Sequence, residues 1–234
     1  MADIISNLPD EILCHILYFL PTKQSIVTSI LSKRWKLLWR SVPALHFVES
    51  LSDDDNDIDT HTRFVESLYA FTLSRDMDQP FRRFHLESRS FLFNPFNLIA
   101  WLSAALQRRV ENLFLSITPL TKVVLPSALF SCKTLVVLEL IGGLNRNPFP
   151  LDFKSADLPL LKTLYLQSFI VEPRHIAELL RGSPNLESLY IAHMYFSGPE
   201  AMFQRLPKLL RATIATAHVP LEVANNVQFL RVDW

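Results

Sequence analysis

The chain is short of glycine, nearly devoid of cysteine and without an excess of either charge, and each shortage removes a class of protein. Four glycines in 234 residues exclude collagen-like or glycine-rich linker sequence. The 23 Lys plus Arg balance 23 Asp plus Glu, so the attraction by which most proteins hold nucleic acid or an anionic membrane is missing, and neither is expected as a partner. Cys14 and Cys132 lie far apart in apolar stretches. No disulfide or metal framework is expected from them, and the usage suits the reducing interior of a cell, nucleus and cytoplasm not being distinguished. No run of 18 apolar residues, no basic lead into an apolar segment and no Asn-x-Ser/Thr acceptor occur, so neither a membrane span nor a secretory leader is expected. What is abundant is apolar surface: 49% of residues are hydrophobic and 20% charged, enough for one or two domains with a full core.

The texture changes along the chain. Residues 8 to 47 are dense in apolar residues at helical spacing, and residues 49 to 59 carry six acidic residues and no basic one, the pattern of a solvated connector. Beyond residue 62 a pattern repeats. The template apolar-x-x-apolar-x-apolar fits Phe81/Phe84/Leu86, Val110/Leu113/Leu115, Leu135/Leu138/Leu140, Leu161/Leu164/Leu166, Leu186/Leu189/Ile191, Leu209/Ala212/Ile214 and Val227/Leu230/Val232. Its starts are 29, 25, 26, 25, 23 and 18 residues apart, and five of these six gaps match the period of about 20 to 29 residues of leucine-rich repeats. Val42/Leu45/Phe47 reads as an opening strand displaced by the acidic connector.

Helices are expected between the strands. Asn94 caps one that starts at Pro95, with Leu98, Leu102, Ala105 and Leu106 on one stripe. Pro173 opens another through Ile176, Leu179 and Leu180, with Gly182 in a left-handed C-terminal position. Pro199 opens a third through Met202, Phe203 and Leu206, and residues 62 to 75 give one more through Phe64, Val65, Leu68 and Phe71. A unit of one strand and one helix cannot bury both apolar faces alone, so the units stack into a curved solenoid with a parallel sheet on its concave wall.

Side chains alternate across a strand. With template positions four and six turned inward, position five presents His85, Phe114, Glu139, Tyr165, Tyr190, Thr213 and Arg231 outward, with Arg211 among the neighbouring outward residues. Phe114, Tyr165 and Tyr190 are expected to stack in a column, and exposed aromatics beside arginine compose binding hot spots. His85, Phe114, Tyr165, Tyr190, Arg211 and Arg231 are therefore the candidate target-binding residues. A terminal segment covering them, or aromatics that merely pave the sheet, is the other reading of the same residues.

Residues 8 to 47 read as three short helices. Pro9, Asp10 and Glu11 open the first, whose stripe is Ile12, Leu13, Ile16, Leu17 and Leu20, ended by Pro21. Thr22 is expected to cap the second, with Ile26, Val27, Ile30 and Leu31 on its apolar side, and Ser32 the third, with Trp35, Leu38 and Trp39. Of the 40 residues from Leu8 to Phe47, 21 are apolar, more than so small a unit can hide. Two fates are open to the surplus: a second protein docks on it, or the solenoid covers it and the module is only a cap.

The wording LPDEILCHILYFLPTKQSIVTSILSKRWKLLW closely resembles the F-box found at the start of plant-type F-box/leucine-rich-repeat proteins. LPSALFSCKTLVVLEL and LPLLKTLYL resemble that family's repeats, so the likeness runs through nearly the whole chain. It implies an F-box over residues 1–47 and about seven leucine-rich repeats over 48–234: an α/β chain in which three helices precede a curved solenoid with a concave parallel sheet and irregular helices on the convex side. It also implies binding to the Skp-type adaptor of a cullin-RING (SCF) ubiquitin ligase. The family's adaptor-facing positions map onto Leu8, Pro9, Ile12, Leu13, Ile16, Leu17, Leu20, Pro21, Ile30, Leu31, Trp35 and Trp39, while Ser32 and Arg34 match its Leu-Ser-Lys-Arg-Trp segment. The target protein and any small-molecule co-ligand are not named by it, and no cofactor is implied.

The chain departs from that pattern in two places. Family members commonly run on through further repeats, whereas Trp234 follows directly on a strand, so exposed apolar and backbone groups are expected there. At the ninth repeat position, where many leucine-rich repeats place Asn, stand Arg89, Thr118, Gly143, Phe169, Met194 and Ala217.

No catalytic motif assembles. Phosphate-loop, dinucleotide, zinc-protease and nucleophile-elbow patterns are missing, the seven histidines form no i, i+4 pair, and Cys14 and His15 are adjacent on a helix and point apart. The expectation is a non-catalytic subunit that supplies proximity. An interaction scaffold without a ligase role is the rival, and an enzyme with an unrecognised site a third class.

Overall fold

A computed structural model describes residues 5–49, 58–73, 80–88, 90, 92, 94–118, 123–143 and 149–233. Three helices come first: α1 (Asp10–Tyr18), α2 (Thr22–Val27) and α3 (Trp35–Ser41). Pro9 sets the entry of α1 and Asp10 and Glu11 occupy its positive end. Leu13 and Leu17, one turn apart, close a small core with Trp35, Leu38, Val42 and Ala44. The capping expectations change here. Thr22 is the first residue of α2, because Pro21 with its fixed φ starts the helix unaided, and the Thr22 hydroxyl instead accepts a hydrogen bond from the His46 N–H at 2.8 Å. Helix α3 starts three residues beyond Ser32, whose hydroxyl is shielded from solvent and makes no hydrogen bond among the described residues.

The rest of the chain is β1 (Ala44–Val48), α4 (Ile58–Leu73), β2 (Arg83–Ser88), α5 (Pro95–Gln107), β3 (Asn112–Ile117), β4 (Val137–Ile141), β5 (Phe149–Leu151), β6 (Thr163–Gln167), β7 (Phe169–Val171), α6 (Pro173–Arg181), β8 (Ser188–Ala192), β9 (Tyr195–Phe196), β10 (Arg211–Ala215) and β11 (Phe229–Val232). Eight strands form one sheet in the order β1-β2-β3-β4-β6-β8-β10-β11, parallel at every junction. The architecture is the α/β solenoid expected. All seven template matches are strands, and Val42/Leu45/Phe47 supplies the eighth. Register follows the template: Leu45, Phe84, Leu113, Leu138, Leu164, Leu189, Ala212 and Leu230 are successive partners. A one-residue slip would turn buried leucines to solvent, so burial fixes this alignment. From β1 to β10 positions four and six are buried; on the edge strand β11, Phe229 and Leu230 are exposed.

Successive repeats are tied together by main chain at the start of each strand. The carbonyl of the second template residue accepts N–H groups from the next repeat: Arg82 from Glu111 and Asn112, Val136 from Lys162 and Thr163, Lys162 from Glu187 and Ser188. Side chains add to this, Thr134 Oγ1 donating to the Val110 carbonyl and Asn185 Nδ2 to that of Pro159, both at 2.7 Å. Arg89 lies outside the described residues. Phe169 instead opens a second, three-stranded parallel sheet, β5-β7-β9, that the repeat template did not contain. Gly142 is required beside it, since a Cβ there would lie 2.2 Å from the Ser168 carbonyl oxygen.

Helix α5 is capped as expected, the Asn94 side chain accepting from the Phe96 N–H at 2.9 Å, with Leu98, Leu102 and Ala105 buried. Helix α4 begins at Ile58, before the expected 62, and residues 74 and 75 lie outside the described set. Helix α6 buries Ile176, Leu179 and Leu180, but Gly182 follows it in right-handed conformation (φ −74°). What Gly182 provides is closeness: a Cβ there would meet the Ala156 carbonyl oxygen at 2.3 Å. The helix expected from Pro199 does not form. Residues 199–206 have no regular structure and Met202 is 95% exposed; two turns with one buried anchor, Leu206, do not repay nucleation.

Candidate interaction surfaces

The structure divides the twelve expected adaptor residues. Leu13, Leu17, Trp35 and Trp39 are buried within the chain, so they hold the module together and are not free to touch a partner. Pro9, Ile12, Ile16, Ile30 and Leu31 are exposed, and Leu8, Leu20 and Pro21 partly so. Helix α1 thus carries two stripes, Leu13 and Leu17 inward, Ile12 and Ile16 outward, each pair spaced by one turn. Ile30 is 82% exposed and Leu31 61%. Phe19, Val27 and Leu37 are also exposed and were not among the expected residues; the signal available was that each is apolar yet out of phase with the buried stripe beside it. Arg34 Nη2 pairs with Asp10 Oδ1 at 2.6 Å, tying the start of α3 to α1.

Another side of the module closes on the first repeat. Trp39 meets Phe71 edge-on at 5.7 Å between ring centroids, Phe71 stacks on Phe47 at 5.6 Å, and the Arg83 guanidinium lies 4.6 Å over the Tyr18 ring. The surplus apolar area therefore has both fates, part covered by the solenoid and part open.

On the concave wall, position five forms one unbroken row in register across all eight strands: His46, His85, Phe114, Glu139, Tyr165, Tyr190, Thr213 and Arg231. His46 and His85 ring centroids are 4.1 Å apart, His85 and Phe114 stack at 4.1 Å and 4°, and Tyr165 and Tyr190 at 4.0 Å and 2°. Phe114 does not stack on the tyrosines as expected, because β4 runs between them and places Glu139 in the row. Arg211 is exposed in the row of position three, away from this column; Arg231 ends the column and pairs with Asp233 at 2.8 Å. His46 was missed although its strand was anticipated, since counting from Val42 puts it at position five.

Burial governs the electrostatics of the row. His85 is pushed down to about 4, first by desolvation and then by His46 and Arg83, and His46 is lowered by desolvation and by Arg83. Glu139 is raised by desolvation, partly offset by Arg83. Desolvation also raises Tyr165, whose hydroxyl donates to Gln167 Oε1 at 2.5 Å. Elsewhere the buried Glu49 carboxylate joins β1 to α4 and β2 through His61 Nδ1, at 2.7 Å, and the Ser88 hydroxyl. The carboxylate lies between the other two groups, so the histidine is not set against the serine as in a nucleophile–base pair. No cluster of three or more His, Cys, Asp or Glu able to hold a metal is found among the described residues, nor any helix long and apolar enough to cross a membrane.

A helical module with an open apolar face, followed by a leucine-rich solenoid with an aromatic concave row, defines an F-box protein with leucine-rich repeats, and the chain belongs to the F-box/leucine-rich-repeat family. The F-box domain model matches residues 5–47, and the model described as "FBD-associated F-box protein At5g56370, LRR repeats" matches residues 98–224. The chain is similar to the F-box/LRR-repeat protein At4g14103 of Arabidopsis thaliana, 36% identical over 192 residues, covering 81% of this chain and 49% of that protein. It is likewise similar to the F-box/LRR-repeat protein At4g14096 of Arabidopsis thaliana, 36% identical over 218 residues, covering 92% and 45%. The FBD-associated F-box protein At3g52670 of the same plant is 34% identical over 198 residues, covering 83% and 44%. The chain spans just under half the length of these relatives.

Proposed function

We propose that this chain is a non-catalytic substrate-recognition subunit of an SCF-type cullin-RING ubiquitin ligase. Residues 1–47 bind the Skp-type adaptor, and the solenoid over 48–234 presents a target protein to the ligase. The observation that supports this best is the open face of Ile12, Ile16, Phe19, Val27, Ile30 and Leu31, more apolar area than a module serving only as a cap would leave in water. Adaptor contact belongs to the exposed residues, with Leu8, Pro9, Leu20 and Pro21 at their margin. Leu13, Leu17, Trp35 and Trp39 shape the face from beneath. The target is held on the concave row of His85, Phe114, Tyr165 and Tyr190, with Arg211 and Arg231 toward the far end.

An interface of ordinary size buries about 1,600 Å², and loss of one large apolar anchor costs about 2 to 4 kcal/mol, a 30- to 1,000-fold drop in affinity. Co-purification with a Skp-type adaptor is the test. Capture is expected for the parent chain and is lost in Ile16→Asp and Ile30→Asp, both of which keep the parent's thermal midpoint. Variants at Leu17 or Trp35 would report folding instead of contact. A chain that captures no adaptor, or Asp variants that capture it unchanged, would refute the adaptor role.

A further inference from the structure

Positions three and five of the repeat run as two parallel rows along the concave wall. On β2, β3 and β4 they place Arg83, Asn112 and Val137 in one row and His85, Phe114 and Glu139 in the other. All six line a cavity of about 440 Å³, within the range of about 300 to 1,000 Å³ usual for ligand pockets. His85 and Phe114, stacked at 4.1 Å, form one side of it. Arg83 and Glu139 stand at diagonal corners, two strand spacings across and one pleat repeat along, which puts their Cα atoms about 12 Å apart.

The two corners decide what fits. Arg83 and Glu139 are both half-buried, and neither side chain makes a hydrogen bond or an ion pair among the described residues. They act on each other all the same, since desolvation raises Glu139 and Arg83 offsets part of that rise. The helical module helps to keep them apart: the Arg83 guanidinium lies 4.6 Å over the Tyr18 ring of α1. His85 is pushed down to about 4 and adds no charge at pH 7. The cavity thus offers donors at one corner and an acceptor at the other. A cationic group entering it meets Arg83, an anionic group meets Glu139, and an apolar group strips water from two charges and replaces none of the lost hydrogen bonds. A hydroxyl donates and accepts through one atom and cannot serve both corners. A primary carboxamide can, because its oxygen accepts and its NH2 group donates at separate ends.

We infer that this cavity reads one carboxamide side chain, asparagine or glutamine, of the target protein, its oxygen accepting from the Arg83 guanidinium and its NH2 group donating to the Glu139 carboxylate. This rests on the reading of the concave wall as the target-binding surface and adds to it the residue type that is read. The methylenes of the incoming side chain lie along Val137 and the edge of the stacked rings. Both hydrogen bonds involve a charged partner and are stronger than neutral ones. A competitor that forms only one of them leaves the other charge desolvated, so selectivity comes from the two corners together.

The test uses the full chain, in complex with adaptor where that forms, titrated with N-acetyl-glutamine methylamide and followed by NMR. The probe is expected to shift the Phe114, Val137 and Glu139 signals saturably. The methylamides of N-acetyl-glutamate, N-acetyl-lysine and N-acetyl-alanine, the last carrying the main-chain amides alone, bind at least tenfold more weakly. The order then inverts with the corner removed: Glu139→Ala makes the glutamate probe the stronger binder, and Arg83→Met, which keeps an unbranched chain beside Tyr18, does the same for the lysine probe. An inverted preference requires an intact cavity, which a misfolded chain does not have. The inference is overturned if the parent chain shows no saturable shift at these residues, or if any of the three control probes binds it as well as the glutamine probe. Adaptor capture by the same samples separates the two readings: a cavity that fails in a chain that still captures adaptor removes the carboxamide site alone, and a working cavity in a chain that captures none removes the ligase role alone.

Discussion

At His85 the imidazole is held against His46 and Phe114 with Arg83 nearby, so a proton there is disfavoured by burial first and then by the positive charge of His46 and of Arg83. The unfolded chain binds that proton near pH 6.5 and the folded chain only near pH 4. Between those values the unfolded state holds more protons, so stability rises with pH. The contribution is fully present above pH 6.5 and is lost as pH falls toward 4. After allowance for the partial exposure of the ring it amounts to about 1 kcal/mol. Urea midpoints measured from pH 7.5 to 4.5 are expected to fall less steeply in His85→Phe, which keeps the stack and removes the proton site. The aromatic content of the row was legible in the sequence, because position five follows from the repeat template. That Glu139 splits it into two stacks was not, since stacking depends on which strands are neighbours in space and the template is silent on side-chain rotamers.

Whole elements were legible where several independent requirements agreed. Helix α5 combines an asparagine cap, a proline at its first position and three buried residues on one stripe, and all of these can be read from Asn94 onward. Asn94→Ala is expected to cost about 1 kcal/mol by leaving the Phe96 N–H unsatisfied, and equilibrium urea unfolding checks it against a silent change at exposed Gln107. The segment after Pro199 had the proline and the spacing but one buried anchor, Leu206, and no helix resulted. Strands β5, β7 and β9 escaped for another reason. At two or three residues each they carry no periodicity, and what creates them is the alignment already imposed by the large sheet. The first three helices were legible as helices, while the division of α1 into an inward and an outward stripe needed the positions of Trp35 and Leu38.

At the scale of the whole chain, module and solenoid meet through Trp39, Phe71 and Phe47 and share β1. Ala44 belongs to the small core, and its neighbour Leu45 to the large one. The two parts are therefore expected to melt together: near-ultraviolet circular dichroism, which reports Trp35 in one core, Trp101 in the other and Trp39 at the seam between them, coincides with the far-ultraviolet transition in a single step. Two separate transitions would show the parts to be independent.

That shared strand leaves no joint about which one half could swing. On the proposed reading, whatever lies against the concave wall is carried at a fixed bearing from the adaptor. The choice of acceptor lysine is then a matter of stiff geometry: those on the side of the cargo turned toward the transferring enzyme come within its reach, and those on the opposite side stay out of range however long the complex lasts.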